Sequence, residues 1–155
     1  MAARASRTVR ELIQKTNSGV ISISPEADVL SALKTMAEKN IGAVIVIKDG
    51  KLAGILSERD CVRKIELAGR TAAEARVAEI MTANVVTVSP EHTYEECMLI
   101  MHEKRIRHLP VVEGGRVVGI LSNRDVLEEV IAERETVIRE LAKARLEATT
   151  YTGSY

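Results

Sequence analysis

The apolar positions of this chain follow one order, and that order occurs twice. Residues 8–15, Thr-Val-Arg-Glu-Leu-Ile-Gln-Lys, place their apolar side chains at helical spacing and predict a short amphipathic helix, stopped by Asn17-Ser18-Gly19. Residues 20–23 predict a brief strand. Asp28 is a helix N-cap, and Val29, Leu30, Leu33 and Met36 form the apolar stripe of a helix reaching about residue 39. Asn40-Ile41-Gly42 ends it. Residues 43–47 are a continuous apolar run, Asp49-Gly50 is a hairpin turn signal, and residues 52–56 return as the paired strand. Ser57 then opens a helix carrying Cys61, Val62 and Ile65.

Sixty-five residues further on, the pattern returns without a gap. Val20-Ile-Ser-Ile-Ser24-Pro25-Glu26 is matched by Val85-Val-Thr-Val-Ser89-Pro90-Glu91, and Gly54-Ile-Leu-Ser57-Glu-Arg59-Asp60 by Gly119-Ile-Leu-Ser122-Asn-Arg124-Asp125. Thr93-Tyr-Glu-Glu96 is a capping box, and Met98 and Met101 continue the stripe behind it. Residues 109–112, the Gly114-Gly115 turn and residues 117–121 predict the second hairpin, and residues 122–132 its helix. The linker over residues 71–81 reads as helical. Residues 133–146 predict a charged helix with Val137, Ile138, Leu141 and Leu146 on one side, and residues 149–155 a frayed tail. The expected division is a first repeat at 8–66, a helical linker at 67–84, a second repeat at 85–132 and a C-terminal helix and tail at 133–155. The fold class is a mixed α/β (α+β) one: two β-α-β-β-α repeats around a pseudo-twofold axis, with flanking N- and C-terminal helices. Neither half, at about fifty residues, buries much core alone, so the two are expected to pair with clefts at their junction.

Composition narrows the function. The chain has 155 residues, and its 22 basic and 22 acidic side chains cancel, which leaves no electrostatic footprint for duplex nucleic acid or an anionic membrane. There is no Phe or Trp, and two of the three Tyr lie in the tail, so stacking platforms for single strands are missing. Neither nucleic acid nor membrane is an expected partner. Cys61 and Cys97 stand far from any metal or redox spacing and read as small buried thiols. No stretch resembles a signal peptide or a membrane span, so the expected compartment is the cytoplasm. Met36, Met98 and Met101 fall at core spacing, and His92 and His102 read as solvent-facing helix residues.

One motif carries chemistry. In both copies of Gly-Ile-Leu-Ser-x-Arg-Asp a strand ends and a helix starts at the serine. A serine N-cap with a carboxylate three residues on accounts for Ser57 and Asp60, and for Ser122 and Asp125, as well-made helix starts. It does not account for Arg59 and Arg124, because the first turn of a helix disfavours a cation. The other reading is an anion site: backbone N–H groups, hydroxyl and guanidinium bind phosphate, and the carboxylate accepts from a vicinal diol. Phosphate and diol together describe a ribonucleotide. The local residues leave both readings open.

The repeated β-α-β-β-α unit, the Leu109-Pro110-Val111 strand start and the two Gly-x-x-Ser-x-x-Asp motifs resemble a tandem pair of CBS domains, a Bateman module, over about residues 8–132. The resemblance implies a regulatory, energy-sensing module that binds adenine nucleotides or derivatives: AMP, ADP, ATP, NAD(H) or S-adenosylmethionine. It implies that Asp60 and Asp125 hold ribose, with Ser57 and Ser122 as their partners and Arg59 and Arg124 toward phosphate. It also implies that Ser57, Arg59 and Asp60 face Val85, Arg107, His108 and Pro110, and that Ser122, Arg124 and Asp125 face Val20, Gly42, Ala43 and Val44. Arg107 and His108 offer charge and hydrogen bonds, where Gly42 and Ala43 offer only space. Ile45 also departs from the family pattern, standing where Pro110 stands in the second copy. One pocket is therefore expected to take AMP and the other a differently phosphorylated or bulkier adenylate such as NAD(H) or ATP. His108 reads equally as a half-buried strand-edge histidine.

No nucleophile–base pair or metal-ligand cluster stands outside these positions, so no catalytic residue, metal or catalytic cofactor is expected. Glu58 and Asn123 differ between the motifs, which is odd for a shared catalytic role. Without a separate effector domain, any signal is expected to leave through oligomerisation, as a homodimer, or through an unidentified protein partner. The alternative function is a structural dimerisation protein with no native ligand.

Overall fold

The computed structural model describes residues 6–16 and 19–150. In chain order its elements are α1 (Val9–Thr16), β1 (Ser22–Ile23), α2 (Val29–Lys39), β2 (Ala43–Lys48), β3 (Lys51–Ser57) and α3 (Glu58–Cys61). A π-helical turn (Val62–Glu66) follows, then α4 (Val77–Ile80), α5 (Tyr94–Lys104), β4 (His108–Glu113), β5 (Arg116–Ser122) and α6 (Asn123–Thr150). Asn17 and Ser18, the expected stop of the first helix, lie outside the described residues, as do residues 151–155 of the expected tail.

The duplication is structural as well as sequential. β1 runs parallel to β2, and β2 pairs antiparallel with β3. In the second repeat β4 pairs antiparallel with β5, and Val88 makes the parallel bridge to Val111. Each hairpin has a register shift at the same place, between Val46 and Ile47 and between Val111 and Val112. The tight turns use left-handed backbone, at φ 51° and 75° for Asp49-Gly50 and 57° and 78° for Gly114-Gly115. Val44 and Val46 enter the first core, so period-two alternation turns Ala43 and Ile45 to the other face of the sheet. Those two are buried as well, which is why this strand reads as an unbroken apolar run.

Each repeat has its own core, and each core is completed by a segment from the other side of the molecule. Val9 and Leu12 of α1, which leads into the β-α-β-β-α unit of the first repeat, are buried with Val88, Cys97, Leu109 and Leu121 of the second. Ala75, Val77 and Ile80, which lead into the β-α-β-β-α unit of the second repeat, are buried with Val29, Met36, Val44 and Leu56 of the first. The backbone bonds match one for one. Val9 N–H donates to the His92 carbonyl (2.8 Å), Arg10 N–H to Pro90 (2.9 Å), and Tyr94 N–H to Arg7 (3.2 Å). On the other side Val77 N–H donates to Ala27 (2.8 Å), Ala78 N–H to Pro25 (2.9 Å), and Val29 N–H to Ala75 (2.9 Å). Burying an aliphatic side chain of this size contributes about 2 kcal/mol, so each exchanged segment supplies several.

This exchange corrects the expected linker helix. Residues 71–76 form turns, and only Val77–Ile80 is helical. The N–H groups of Val29 and Leu30, orphaned at the start of α2, are bonded by the carbonyls of Ala75 and Ala72. Arg76 must be extended to bridge Asp28. Tertiary bonding overrides an alanine-rich helical propensity.

Three further expectations change. The helices expected at 122–132 and 133–146 are one, α6, because no Gly or Pro interrupts residues 123–150. Tyr94 fastens α5 to it by donating its hydroxyl to the Glu133 carboxylate. Leu30 and Met98 are exposed, as is Val62. The buried stripes are instead Val29, Ala32 and Met36, and Tyr94, Cys97 and Met101, at spacings of three and four. His92 sits in the half-buried turn before α5, where its Nδ1 accepts from the Ser89 N–H at 3.0 Å; His102 is exposed on α5. Both cysteines are buried and free, and burial pushes each thiol up to about 11.

Gly54 and Gly119 occupy equivalent positions and receive the exchanged segments. A Cβ on Gly54 would lie 2.7 Å from Met81 Sδ and 2.8 Å from the Thr82 carbonyl oxygen; one on Gly119 would lie 3.1 Å from Ile13 Cγ2. Gly54→Ala is therefore expected to destabilise by about 1–3 kcal/mol, since backbone must shift, and Gly119→Ala by less, since a side chain can give. Urea unfolding of both variants checks the order; equal losses, or none, contradict this account of the exchange.

Candidate functional site

A cleft of about 550 Å³ opens where the repeats meet. From the first repeat it is lined by Gly42, Ile55, Ser57, Arg59 and Asp60, and from the second by Val85, Val86, Ile106, Arg107 and His108. Seven of the residues singled out in the sequence, Gly42, Ser57, Arg59, Asp60, Val85, Arg107 and His108, are thereby brought together. Gly42 was expected opposite the second motif. It lies here instead, with the His108 ring 3.8 Å from the place of its missing Cβ. Among the described residues, Val20, Ala43, Val44, Pro110, Ser122, Arg124 and Asp125 do not line this cleft. Ala43, Val44 and Pro110 are buried within β2 and β4, and Val20 is half-buried ahead of β1.

Ser57 and Asp60 are held rigidly. Ser57 Oγ accepts from the Asp60 N–H (3.1 Å) and donates to Asp60 Oδ2 (2.9 Å), which also accepts the Ser57 N–H (3.0 Å). Asp60 Oδ1 is 3.6 Å from Lys64 Nζ. The second motif repeats the box, with Ser122 N–H and Oγ donating to Asp125 Oδ2 at 2.7 and 2.8 Å. The capping role read from the sequence is thus realised in both copies. In the first copy it fixes the Asp60 carboxylate and Ser57 hydroxyl at the rim of the cleft, a pre-organised pair of hydrogen-bonding groups. The helix dipole adds little in the first copy, because α3 is a single turn before the π-helical segment.

Charge comes from four exposed arginines, Arg59, Arg63, Arg105 and Arg107, against the carboxylates of Glu58 and Asp60. Among the described residues none of the four has an ion-pair partner. Arg124, by contrast, is tied along α6 to Glu128, with Nε 3.1 Å from Oε1. Arg63, Arg105, Thr82 and Asn84 were not singled out in the sequence. The signal for the first two was present: 65 residues on, Arg63 is replaced by Glu128, and 65 residues back, Arg105 is replaced by Asn40. Arg105 and Asn40 both close their helices in left-handed backbone, at φ 54° and 52°. An arginine there has no capping advantage over asparagine.

His108 lies between the two motifs. It pairs in register with Ser122, and the Asp125 carboxylate raises its proton affinity, but burial and the Arg107 charge hold it below the ordinary imidazole value. The folded protein thus binds this proton less readily than the unfolded chain does. Stability is full above the ordinary value of 6.5 and falls as the pH drops below it. Unfolding measured between about pH 8 and pH 5.5 is expected to show this acid loss in the native protein and a flatter profile in His108→Gln. Identical profiles contradict the assignment.

Comparison with known proteins places this architecture. The CBS domain matches residues 9–67 and 77–132. The chain is 38% identical over 118 residues to the mitochondrial CBS domain-containing protein CBSX3 of Arabidopsis thaliana, covering 73% of this chain and 57% of that one. It spans about half the length of the first curated relatives it matches. A crystal structure of a CBS domain superposes with a TM-score of 0.77 at 43% identity, covering 81% of this chain and 98% of the other. The hexameric CBS-CP12 protein of bloom-forming cyanobacteria superposes at 0.74 and 29% identity, covering 97% and 94%. Among the described residues no helix is long and apolar enough to cross a membrane. Two repeats of one β-α-β-β-α unit, joined by exchanged lead-in segments around a cleft, make this chain a member of the CBS-domain family, with two such domains in tandem.

Proposed function

We propose that the chain is a regulatory module that binds adenine nucleotides between its two repeats and passes occupancy to a partner or to its own oligomeric state. Tandem CBS domains generally act as regulatory modules that bind adenine nucleotides. The observation that carries the reading here is the cleft in which Ser57 and Asp60 of one repeat meet Arg107 and His108 of the other. In this reading Asp60 Oδ1 accepts from the ribose hydroxyls, Ser57 stands at the ribose–phosphate junction, and Arg59 and Arg107 take the first phosphate. Val85, Val86, Ile55 and Ile106 give the adenine ring apolar walls. Because the ligand touches both repeats, binding favours one relative angle between them, by as much as its affinities for the two arrangements differ.

The outlet of the signal is the rest of α6. Residues 134–149 are exposed, and Val137, Ile138, Leu141 and Leu146 keep 54–67% of their surface open. We propose a homodimer that covers this stripe, with a further protein as the listener. We assign AMP to one cleft and a differently phosphorylated adenylate, or NAD(H), to the other, with Ser57, Arg59 and Asp60 serving one of the pair and Ser122, Arg124 and Asp125 its counterpart. The role proposed is binding without catalysis, with Ser57, Arg59, Asp60 and Arg107 assigned to ligand contacts.

The capping boxes favour one rival, a structural dimerisation protein whose serines and aspartates only start helices. Thermal unfolding of nucleotide-free protein with AMP, ADP, ATP, NAD⁺, NADH and S-adenosylmethionine separates the two. A ligand at 100 times its Kd adds about 2.7 kcal/mol, or roughly 5–10 °C in Tm for a chain of this size. Asp60→Ala is expected to weaken such a shift by about ten- to a hundredfold in affinity, beyond its own loss of about 1 kcal/mol as a cap. No shift with any adenylate leaves the structural reading standing.

A further inference from the structure

The two half-sites carry opposite electrostatics, and we infer that the cleft at Ser57 and Asp60 selects ligands with two or more phosphates, Arg63 and Arg105 holding those beyond the first. The inference rests on the nucleotide reading for the adenosine part and on the arginines alone for the phosphates. Around Ser57 and Asp60 the four arginines exceed the two carboxylates, Glu58 and Asp60, for a net charge of +2. At the positions 65 residues away the balance disappears. Glu128 replaces Arg63, Asn40 replaces Arg105, and Gly42 replaces Arg107. Arg124, the counterpart of Arg59, is occupied by Glu128.

Local energetics point the same way. Arg124 and Glu128 form an attractive pair one turn apart on a regular helix. Arg59 and Arg63 are a like-charged pair at the same spacing, with no counter-ion among the described residues. Such a pair costs a helix stability, and here the chain leaves regular α-helix for a π-helical turn at Val62–Glu66. An unpaired cation pair set at the mouth of a 550 Å³ cleft gains its counter-charge from an anion. Arg105 has its charge in the same cleft from the opposite repeat, so a chain of phosphates lies between the two repeats and bridges them. A single α-phosphate needs only Arg59 and the Arg107–His108 edge. The second and third phosphates bring Arg63 and Arg105 into use.

The test is isothermal titration of the nucleotide-free protein with AMP, ADP, ATP and inorganic tripolyphosphate, repeated with Arg63→Glu, Arg105→Asn and Asp60→Ala. The first two substitutions install the residues found at the equivalent positions. The native protein is expected to bind ATP and ADP about tenfold or more tightly than AMP, and tripolyphosphate measurably. Arg63→Glu and Arg105→Asn are expected to abolish the preference by weakening ATP, with AMP within about threefold of native, whereas Asp60→Ala weakens AMP and ATP together but spares tripolyphosphate. Circular dichroism melts confirm that each variant is folded. Equal affinities for AMP and ATP, both lost with Asp60→Ala, overturn this inference and leave the nucleotide reading intact. Tripolyphosphate binding that depends on Arg63, without binding of any adenylate, upholds the phosphate site and removes the nucleoside. No binding of any of the four overturns both.

Discussion

The structure depends on an exchange: each repeat's core is finished by the segment that leads into the other. α1 lies against the second hairpin and α4 against the first, with three matching backbone hydrogen bonds on each side. A half of about fifty residues with a two- or three-stranded sheet has too little apolar surface to hold itself together. Exchange removes the choice. Neither core closes unless the two halves are in place, so folding of one and docking to the other become one event, and the cleft between them is a property of the folded state rather than of a later encounter.

The same position secures the exchange on both sides by opposite means. Lys64 donates to the carbonyl of Ile80 at the end of α4 (2.8 Å), a favourable place for a cation. Its counterpart 65 residues on is Glu129, buried on α6 and clasped by Arg7 at 3.1 Å and Lys15 at 3.9 Å from the N-terminal segment. Duplication supplied two equal frames, and charged residues at equivalent places have diverged without loss of the contact. At the cleft, divergence has a different result. Replacing Glu128 by Arg63 and Asn40 by Arg105 leaves the frame alone and changes what an anion meets.

Much of this was legible in the sequence. The hairpins and the two eleven-residue helices with their Asp28 and Thr93 caps follow from period, turn chemistry and the repeat, whereas the pairing of Ser57 and Asp60 with Arg107 and His108 came only from the family resemblance. The exchange was not read, although Val9, Glu11 and Leu12 do recur as Val77, Glu79 and Ile80. Their offset is 68 rather than 65, so a gapless comparison steps over them. The linker misled because alanines favour helix locally, while the carbonyls of Ala72 and Ala75 were needed at the start of α2. Arg63 and Arg105 escaped notice because a charged residue on a helix or at its end is ordinary by itself. Only comparison with the other repeat makes it informative.

The central claim, that one nucleotide is held jointly by both repeats, is tested most directly by a crystal structure of the protein with ATP. The account predicts the ribose on Asp60, the adenine between Ile55 and Val85, and the phosphates running past Arg107 and His108 toward Arg63 and Arg105, with both repeats in contact. A nucleotide bound elsewhere, or touching one repeat alone while this cleft holds only solvent, contradicts it.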